Sequence, residues 1–289
     1  MRSPASPDSE IMLFDGLCSL RWLGTNCLII KTKDTCLIVD PHFSRPGLLA
    51  LTQKIAPRVE TIRQELDRLD LEKVDAILIT HTHYDHFLDA LETAKLTGAD
   101  LYGSESVVQA TGLNLPSGRV HLIEPGVQYV IGEFGARFTM SSHLKFPGKL
   151  ADWVHFNGKI EQPLNQPVWF WQYRAGTVYN ILLEMEGCRL YIEGSAGIDR
   201  GNLAVQSANV AILSIAGLGF KNRLYCQAWF NQTVIQTGVQ EVFFSHWDHF
   251  FQPWGLAPRD LPGTRRVIRW IDEMSAACPG VQFKRLFPS

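Results

Sequence analysis

One short segment constrains this chain more than any other. Residues 81–86, HTHYDH, directly follow the apolar run DAILIT and begin a segment with helical spacing. Three imidazoles and a carboxylate within six residues are ligand types that a transition metal binds. Core packing does not account for them, because ionisable side chains at the end of a buried strand are costly without a partner. The segment therefore predicts a metal site where a strand ends and a helix begins.

The spacing within this segment predicts how the side chains converge. Alternate residues of an extended segment share a face, so we expect His81, His83 and Asp85 to lie on one side. His86 enters the following helix and can turn toward the same space. Tyr84 faces away by the same alternation, and we expect it to pack rather than to take part in chemistry.

The rest of the chain alternates between short apolar runs and amphipathic segments. The opening is rich in strand signals (SLRWLG, CLIIKT, CLIVDP), and residues 60–70 and 81–98 have helical apolar spacing. A second half repeats the theme, with helices around residues 224–237 and from about 264 to 277. This alternation in two similar runs predicts a layered α/β fold, with residues 1–289 forming a single domain.

Two segments depart from the alternation. Residues 1–15 hold two prolines and no apolar stretch of signal-peptide length, so we expect a frayed tail. Residues 144–173 hold seven aromatic residues, three prolines and two glycines, which predicts an irregular, aromatic-rich insert. That insert is either a lid over a cleft or a hairpin that packs on the core or on a second subunit.

Composition narrows the classes of partner. The chain has 27 basic and 29 acidic residues, a formal net charge of −2, whereas nucleic-acid binding needs many phosphate contacts from Lys and Arg. Its six cysteines are scattered without a C-x-x-C pair, unlike a disulfide scaffold or a thiolate zinc site. The longest apolar run, residues 208–220, is too short to span a bilayer. We expect a soluble cytoplasmic protein that acts on a small or lipid-like molecule and not on nucleic acid.

The H-x-H-x-D-H segment resembles the signature of the metallo-β-lactamase superfamily, and the resemblance covers most of the chain. LGTNCLII and LIVDP lie near the start, where the family carries an Asp after its third strand, here Asp40. The family's third metal-ligand position matches His143 in FTMSSH, and its last matches His246 in VFFSHWDHF. The resemblance implies a four-layer αββα sandwich. The H-x-D-x-F ending is most similar to the branch with ascorbate-6-phosphate lactonase and N-acylphosphatidylethanolamine phospholipase D.

Carried over by position, the resemblance also implies a site and an activity. One metal would be held by His81, His83 and His143, and the other by Asp85, His86 and His246. The metals would be one or two Zn²⁺ ions, or Mn²⁺. Asp85 would orient a metal-bound hydroxide and relay a proton, and Asp40 would fix the tautomer of a ligand imidazole. The implied reaction is hydrolysis of a lactone, an ester or a phosphodiester.

One step of the family pattern is altered. Members usually carry a G-D-T step whose Asp bridges both metals, whereas residues 194–196 of this chain are GSA. Serine is a poor ligand for zinc or manganese, and without the bridging carboxylate the site keeps roughly one more positive charge. We therefore expect the second metal to bind less tightly, unless another carboxylate replaces the bridge. Glu193 and Asp248 are the candidates.

Two other functions occur on this fold. Flavin-partnered diiron members typically show H-x-E at the second ligand, and Thr82-His83 does not match that pattern. A non-catalytic or weakly active metal-binding scaffold usually loses several ligands, while only the bridging position is altered here. The scaffold is the alternative to the hydrolase.

The histidines outside the motifs have separate expectations. His121 lies within the strand pattern RVHLI and is expected to be a satisfied structural residue. His42 follows Asp40 closely, His155 lies in the insert and His249 follows Asp248, so each is a candidate for contact with the site or its substrate.

Overall fold

The short apolar runs of the N-terminal half form one seven-stranded sheet in the order β1 to β7. Its strands are β1 Ile11–Leu13, β2 Cys18–Trp22, β3 Leu28–Lys31, β4 Cys36–Val39, β5 Ala76–Leu78, β6 Asp100–Gly103 and β7 Val120–Leu122. Strands β1 to β4 pair antiparallel, and β4 to β7 pair parallel because helices connect them. These bounds come from a computed structural model, which describes residues 10–145, 157–198, 207–252 and 256–288.

The C-terminal half forms a second sheet with the same pattern. Its strands are β8 Gln128–Ile131, β9 Phe134–Ser141, β10 Val178–Met185, β11 Cys188–Ile192, β12 Val210–Ser214, β13 Glu241–Ser245 and β14 Gln282–Arg285. Strands β8 to β11 pair antiparallel, and β11 to β14 pair parallel. The two similar runs of the sequence thus correspond to two sheets of similar construction.

Six α-helices of the described ranges accompany the sheets. They are α1 Val59–Arg68, α2 Tyr84–Phe87, α3 Ala90–Thr97, α4 Glu105–Thr111, α5 Arg223–Phe230 and α6 Thr264–Ser275, with a π-helical turn, Asn231–Ile235, after α5. The helix predicted over residues 81–98 is in fact two, α2 and α3. The break lies at Asp89, whose carboxylate accepts hydrogen bonds from the amide and hydroxyl of Ser44 at 2.6 and 2.5 Å. Among these helices, none has both the length and the apolar character that a bilayer crossing requires.

Alternation along the strands divides the core into layers. Ile38 on β4 packs in a cluster with Leu66 of α1, on the outer side of the first sheet. Its neighbours Leu37 and Val39 point the other way, into a cluster with Phe138 of the second sheet. Helices α5 and α6 contribute apolar side chains to that second cluster. The predicted four-layer αββα sandwich is confirmed.

The first of the two irregular segments is more ordered than its composition predicted. Ile11–Leu13, within the predicted frayed tail, pairs with β2 because the Leu13 side chain is buried between the sheets. The prediction of a tail was therefore wrong for these residues, while residues 1–9 lie outside the described ranges. Residues 146–156 of the predicted insert also lie outside them. The described part of the insert is anchored where Val168 and Ile55 exchange backbone hydrogen bonds of 2.7 and 3.0 Å.

Candidate metal centre

The predicted ligands come from segments that follow strands of both sheets. His81 and His83 follow β5, Asp85 and His86 lie on α2, His143 follows β9 and His246 directly follows β13. Loops at strand ends are where α/β sheets place binding groups, because the rigid strands fix the loop ends. The structure brings all six side chains together.

These side chains form two adjacent groups of three. His81, His83 and His143 form one group, and Asp85, His86 and His246 form the other. Within each group, the possible ligand atoms lie within 4.8 Å of one another. The ring centroids of His81 and His86, one from each group, are 3.9 Å apart. The grouping is the one that the resemblance implied.

The backbone conformation that places Asp85 in the second group differs from the prediction. Helix α2 begins at Tyr84, so Asp85 lies in a helical turn and not in an extended segment. The side-chain period therefore changes from two residues to 3.6 before Asp85. For the same reason the prediction that Tyr84 faces away was wrong, since its side chain lines the cavity described below.

Nitrogen atoms of these histidines fit coordination of a metal. Nδ1 of His86 lies 2.7 Å from a carboxylate oxygen of Asp40, so its Nε2 is the atom offered to a metal. Nδ1 of His81 lies 3.1 Å from the Thr80 hydroxyl. Nε2 of His81 is buried and has no hydrogen-bond partner among the described residues. A buried nitrogen without a partner is costly, so this donor set fits a bound ion.

Asp40 connects this centre to the first sheet. Its carboxylate is fully buried and accepts hydrogen bonds from the amide and hydroxyl of Thr80 at 2.8 and 2.6 Å. The amide group of Asn26 donates a further bond at 2.9 Å. With His86, these donors engage both carboxylate oxygens and fix the orientation of the imidazole.

Burial and neighbouring charges set the protonation states at the centre. Burial lowers the pKa of His81 well below its usual value, and the nearby imidazoles of His86 and His83 lower it further. Burial alone would raise the pKa of Asp85, but His86 and His246 outweigh this and hold it well below the usual range. At neutral pH a neutral His81 and an ionised Asp85 are the forms that a cation binds.

The structure gives no carboxylate to the altered bridging position. The Ser195 hydroxyl accepts a hydrogen bond from the Leu144 amide at 3.2 Å. Glu193 accepts hydrogen bonds of 2.9 and 3.1 Å from a tryptophan indole, and Asp248 forms a buried ion pair with Arg45. Within the described part of the chain, neither carboxylate belongs to a ligand group.

A cavity of about 390 Å³ lies over both ligand groups. Apart from the ligands, most of its lining is apolar and includes Leu144, Phe170, Phe220, Phe250, Phe251 and Leu261. The Tyr84 ring packs among three of these, with centroid distances of 6.2 to 6.4 Å. No Lys or Arg is found among the described lining residues. The cavity can therefore hold an apolar group beside the ligand centre.

The other histidines take different positions. His249 lines the cavity. His42 is buried beside the Tyr84 ring at a centroid distance of 6.0 Å, and burial lowers its pKa to about 3. His121 pairs with Asp100 at 2.9 Å, in line with a structural role. His155 lies outside the described ranges.

Sequence reasoning missed a cluster of unusual backbone conformations around the centre. Thr25, Asp40, Arg45 and His246 have φ angles of 52°, 45°, 36° and 52°. Residues other than glycine rarely adopt this left-handed region, and clusters of them at a site persist only where surrounding contacts hold them. Asp and His adopt this region more often than most residues other than glycine, but that preference is too weak for the sequence to predict these positions.

Comparisons of this sequence with known proteins identify a matching family and several similar proteins. A family profile described as the metallo-β-lactamase superfamily matches residues 20–137. A UPF0173 protein of Pyrococcus abyssi is 29% identical over 42% of this chain and 48% of its own length. A UPF0173 metal-dependent hydrolase of Myxococcus xanthus is 27% identical over 70% of this chain and 62% of its own. The matches thus span less than two thirds of the length of these relatives.

A solved structure extends the likeness to nearly the whole chain. Igni18, a metallo hydrolase from Ignicoccus hospitalis, superposes with a TM-score of 0.56 at 16% identity. The superposition covers 94% of this chain and 96% of that protein. At this level of identity, the likeness shows a shared fold.

Proposed function

Because this chain belongs to the metallo-β-lactamase superfamily, we propose that it is a metal-dependent hydrolase of a lactone, an ester or a phosphodiester. The observation that carries the proposal is the pair of ligand groups, each with its donor atoms within 4.8 Å, beneath one cavity. The Myxococcus xanthus relative bears the name of a metal-dependent hydrolase, which supports the reaction type.

The donors suit the proposed ions in number and kind. Three imidazoles would hold one ion, and two imidazoles and a carboxylate would hold the other. Nitrogen and carboxylate oxygen ligands suit zinc, and manganese is also compatible. When bound, such ions supply a nucleophilic hydroxide at neutral pH and stabilise negative charge on the substrate.

Asp85 has a second role in this proposal. One of its oxygens lies 3.3 Å from Nε2 of His246 and 3.7 Å from Nε2 of His86. Its lowered pKa keeps it a hydrogen-bond acceptor at neutral pH, so it can orient an attacking water. In this proposal Asp85 also accepts a proton from that water and passes it to the leaving group.

The cavity lining favours a substrate with an apolar part. The Phe250 ring lies 5.6 Å from the His246 ring and 4.6 Å from the Phe251 ring, centroid to centroid. Phe170 completes an aromatic wall around Tyr84. A nucleic acid would need Lys and Arg contacts to its phosphates, and the described lining contains none. These features support a small or lipid-like substrate whose apolar portion packs against the wall.

A metal-binding scaffold without turnover is the second candidate. It is favoured by Ser195, because a site without a bridging carboxylate holds its second ion less tightly. If both ions are needed for turnover, the chain could bind one metal and remain inactive.

A substrate panel distinguishes the two candidates. Metal-free protein, with and without added zinc or manganese, is offered an aryl ester, a lactone, an aryl phosphodiester and a long-chain phospholipid. We expect metal-dependent turnover of at least one, and no turnover by His83→Ala at the same metal concentration. Equal rates with and without metal, in both proteins, would contradict the hydrolase. Metal binding without turnover of any substrate would favour the scaffold.

A further inference from the structure

The loop between β2 and β3 contacts both sides of the second ligand group. The Thr25 carbonyl oxygen accepts a hydrogen bond from the His246 amide at 2.8 Å. The Asn26 side chain donates to Asp40 at 2.9 Å and accepts from the Ser245 hydroxyl at 3.2 Å. This LGTN loop, to which the proposed reaction assigns no role, therefore joins the residue that orients His86 to the segment that carries His246.

A buried ion pair fastens the same loop to the His246 segment. The Arg45 guanidinium donates to the Asp248 carboxylate, and the two side chains are only 6% and 1% exposed. The other oxygen of that carboxylate accepts a hydrogen bond from the Thr25 amide at 2.8 Å. Arg45 also lies 3.4 Å from the Thr25 hydroxyl. Removing one charge of such a pair leaves the other buried and uncompensated.

Gly24 provides the space that this ion pair occupies. A Cβ atom at this position would overlap the Arg45 guanidinium and lie 2.8 Å from an Asp248 carboxylate oxygen. Its φ of +92° is also a conformation that residues with a side chain rarely adopt. The loop is therefore built around the ion pair.

The network holds a strained backbone at the ligand itself. Thr25, Arg45 and His246 all have positive φ angles, and all three take part in the contacts just described. Strained conformations persist where surrounding contacts over-determine them. In this conformation, Nε2 of His246 lies 3.3 Å from a carboxylate oxygen of Asp85.

We propose that Arg45 is a positioning residue for the second metal. Through Asp248 and Thr25, it holds His246 in the conformation that places its imidazole beside Asp85. This inference rests on the proposed function, because it concerns the same metal centre. The contacts of Arg45 and Asp248 described above lead through Thr25 to His246 of the second ligand group. Breaking them should therefore weaken that site and leave the His81, His83 and His143 site intact.

Zinc titration of metal-free protein tests this inference. We expect wild type to bind two equivalents, and Arg45→Met and Asp248→Asn to keep the first and bind the second about 10–100-fold more weakly. Arg45→Lys should recover part of the loss, because it keeps the charge but not the planar guanidinium. Asp75→Asn is the matched control, since it removes a carboxylate that accepts a backbone hydrogen bond, from Cys36 at 2.8 Å, at the other end of the sheet. It should bind both ions as wild type does.

Zinc affinity at the first site and the Tm of thermal unfolding distinguish a positioning role of Arg45 from a general structural role. Loss of both sites with a lowered Tm in Arg45→Met and Asp248→Asn would overturn the inference, as would unchanged second-site affinity in both. A wild type that binds one equivalent even at millimolar zinc would also overturn it while leaving a one-metal hydrolase possible. A wild type that binds no zinc would refute the proposed function together with this inference.

Discussion

Nδ1 of His86 lies 2.7 Å from an Asp40 carboxylate oxygen, and the two side chains are 2% and 0% exposed. Asp40 directly follows β4, whereas His86 lies on α2, so the contact fixes the helix relative to the end of the neighbouring strand. A fully hydrogen-bonded polar network in a buried setting is rigid, because every alternative arrangement leaves a group without a partner. The orientation of His86 therefore follows from the packing of the first sheet.

Replacing Asp40 tests that relationship. In Asp40→Ala, the donors of His86, Thr80 and Asn26 lose their acceptor. We expect second-site zinc affinity to fall about 10–100-fold, because the imidazole loses its fixed tautomer. The free energy of unfolding should fall by roughly 3–5 kcal/mol. Zinc titration and denaturant unfolding measure the two effects.

Asp100→Ala is the control for this change. It removes the partner of His121, at 2.9 Å, in a pair whose side chains are 34% and 38% exposed. Because the pair is exposed, the loss of stability should be about 1 kcal/mol or less. Equal effects of the two substitutions on zinc binding would contradict the role given to Asp40.

Ser195→Asp should strengthen the second metal site. The new carboxylate lies where related proteins carry a bridging Asp, and it lowers the net positive charge between the ions. We expect second-site affinity to rise at least about tenfold in a zinc titration. Ser195→Asn, which has the same shape without the charge, should leave it unchanged. The same gain in both variants would show that charge is not the cause, and no gain in either would show that another group already bridges the ions.

Phe251→Ala should weaken the use of apolar substrates. Phe251 lines the cavity, and removing its ring gives up apolar contact worth about 1.5 kcal/mol. We expect kcat/KM for a long-chain ester to fall about tenfold, with a much smaller change for an acetyl ester. Trp171→Ala removes an exposed aromatic side chain of the insert and is the control. An equal fall in kcat/KM for both esters would argue against contact between the long acyl chain and the aromatic wall.

Asp89 should make the free energy of unfolding fall as the pH rises, which is the reverse of the usual effect of a paired carboxylate. Burial raises its pKa to about 6, against a usual value near 4. Between these values the folded protein holds a proton that the unfolded chain has released, so the stability contributed by this group falls as the pH rises through that window. Relative to Asp89→Asn, which cannot ionise, wild type should lose about 3 kcal/mol between pH 4 and pH 7. Denaturant unfolding of both proteins at the two pH values checks this, and a constant or opposite difference would contradict it.

Sequence patterns were sufficient for much of the fold and for the choice of candidate ligands. The H-x-H-x-D-H segment concentrates four candidate ligands directly after an apolar strand, so it stands out without any knowledge of tertiary contacts. His143 and His246 are separated from it in the chain, and their assignment depended on family resemblance. The repeated alternation of strands and helices predicted a layered α/β fold, and the family resemblance implied its four αββα layers.

Other features depend on contacts that leave no local pattern. Arg45 and Asp248 are 203 residues apart in the chain, and nothing in either segment indicates the other. Tyr84 was assigned to the wrong side because α2 begins at that residue, and a shift of one residue in a helix start changes which side chains share a face. The strand Ile11–Leu13 was missed because the apolar run that contains it is only four residues long and the strand owes its order to the pairing with β2.

The most direct test of the central claim is the rate of ester hydrolysis by metal-free protein as zinc is added in known equivalents. The proposed function predicts a background rate without zinc, a rise on addition, and saturation at one to two equivalents. His83→Ala, which lacks one ligand of the first group, should stay at the background rate over the same range. A wild-type rate that does not change as zinc is added, or that His83→Ala reproduces, would contradict the account.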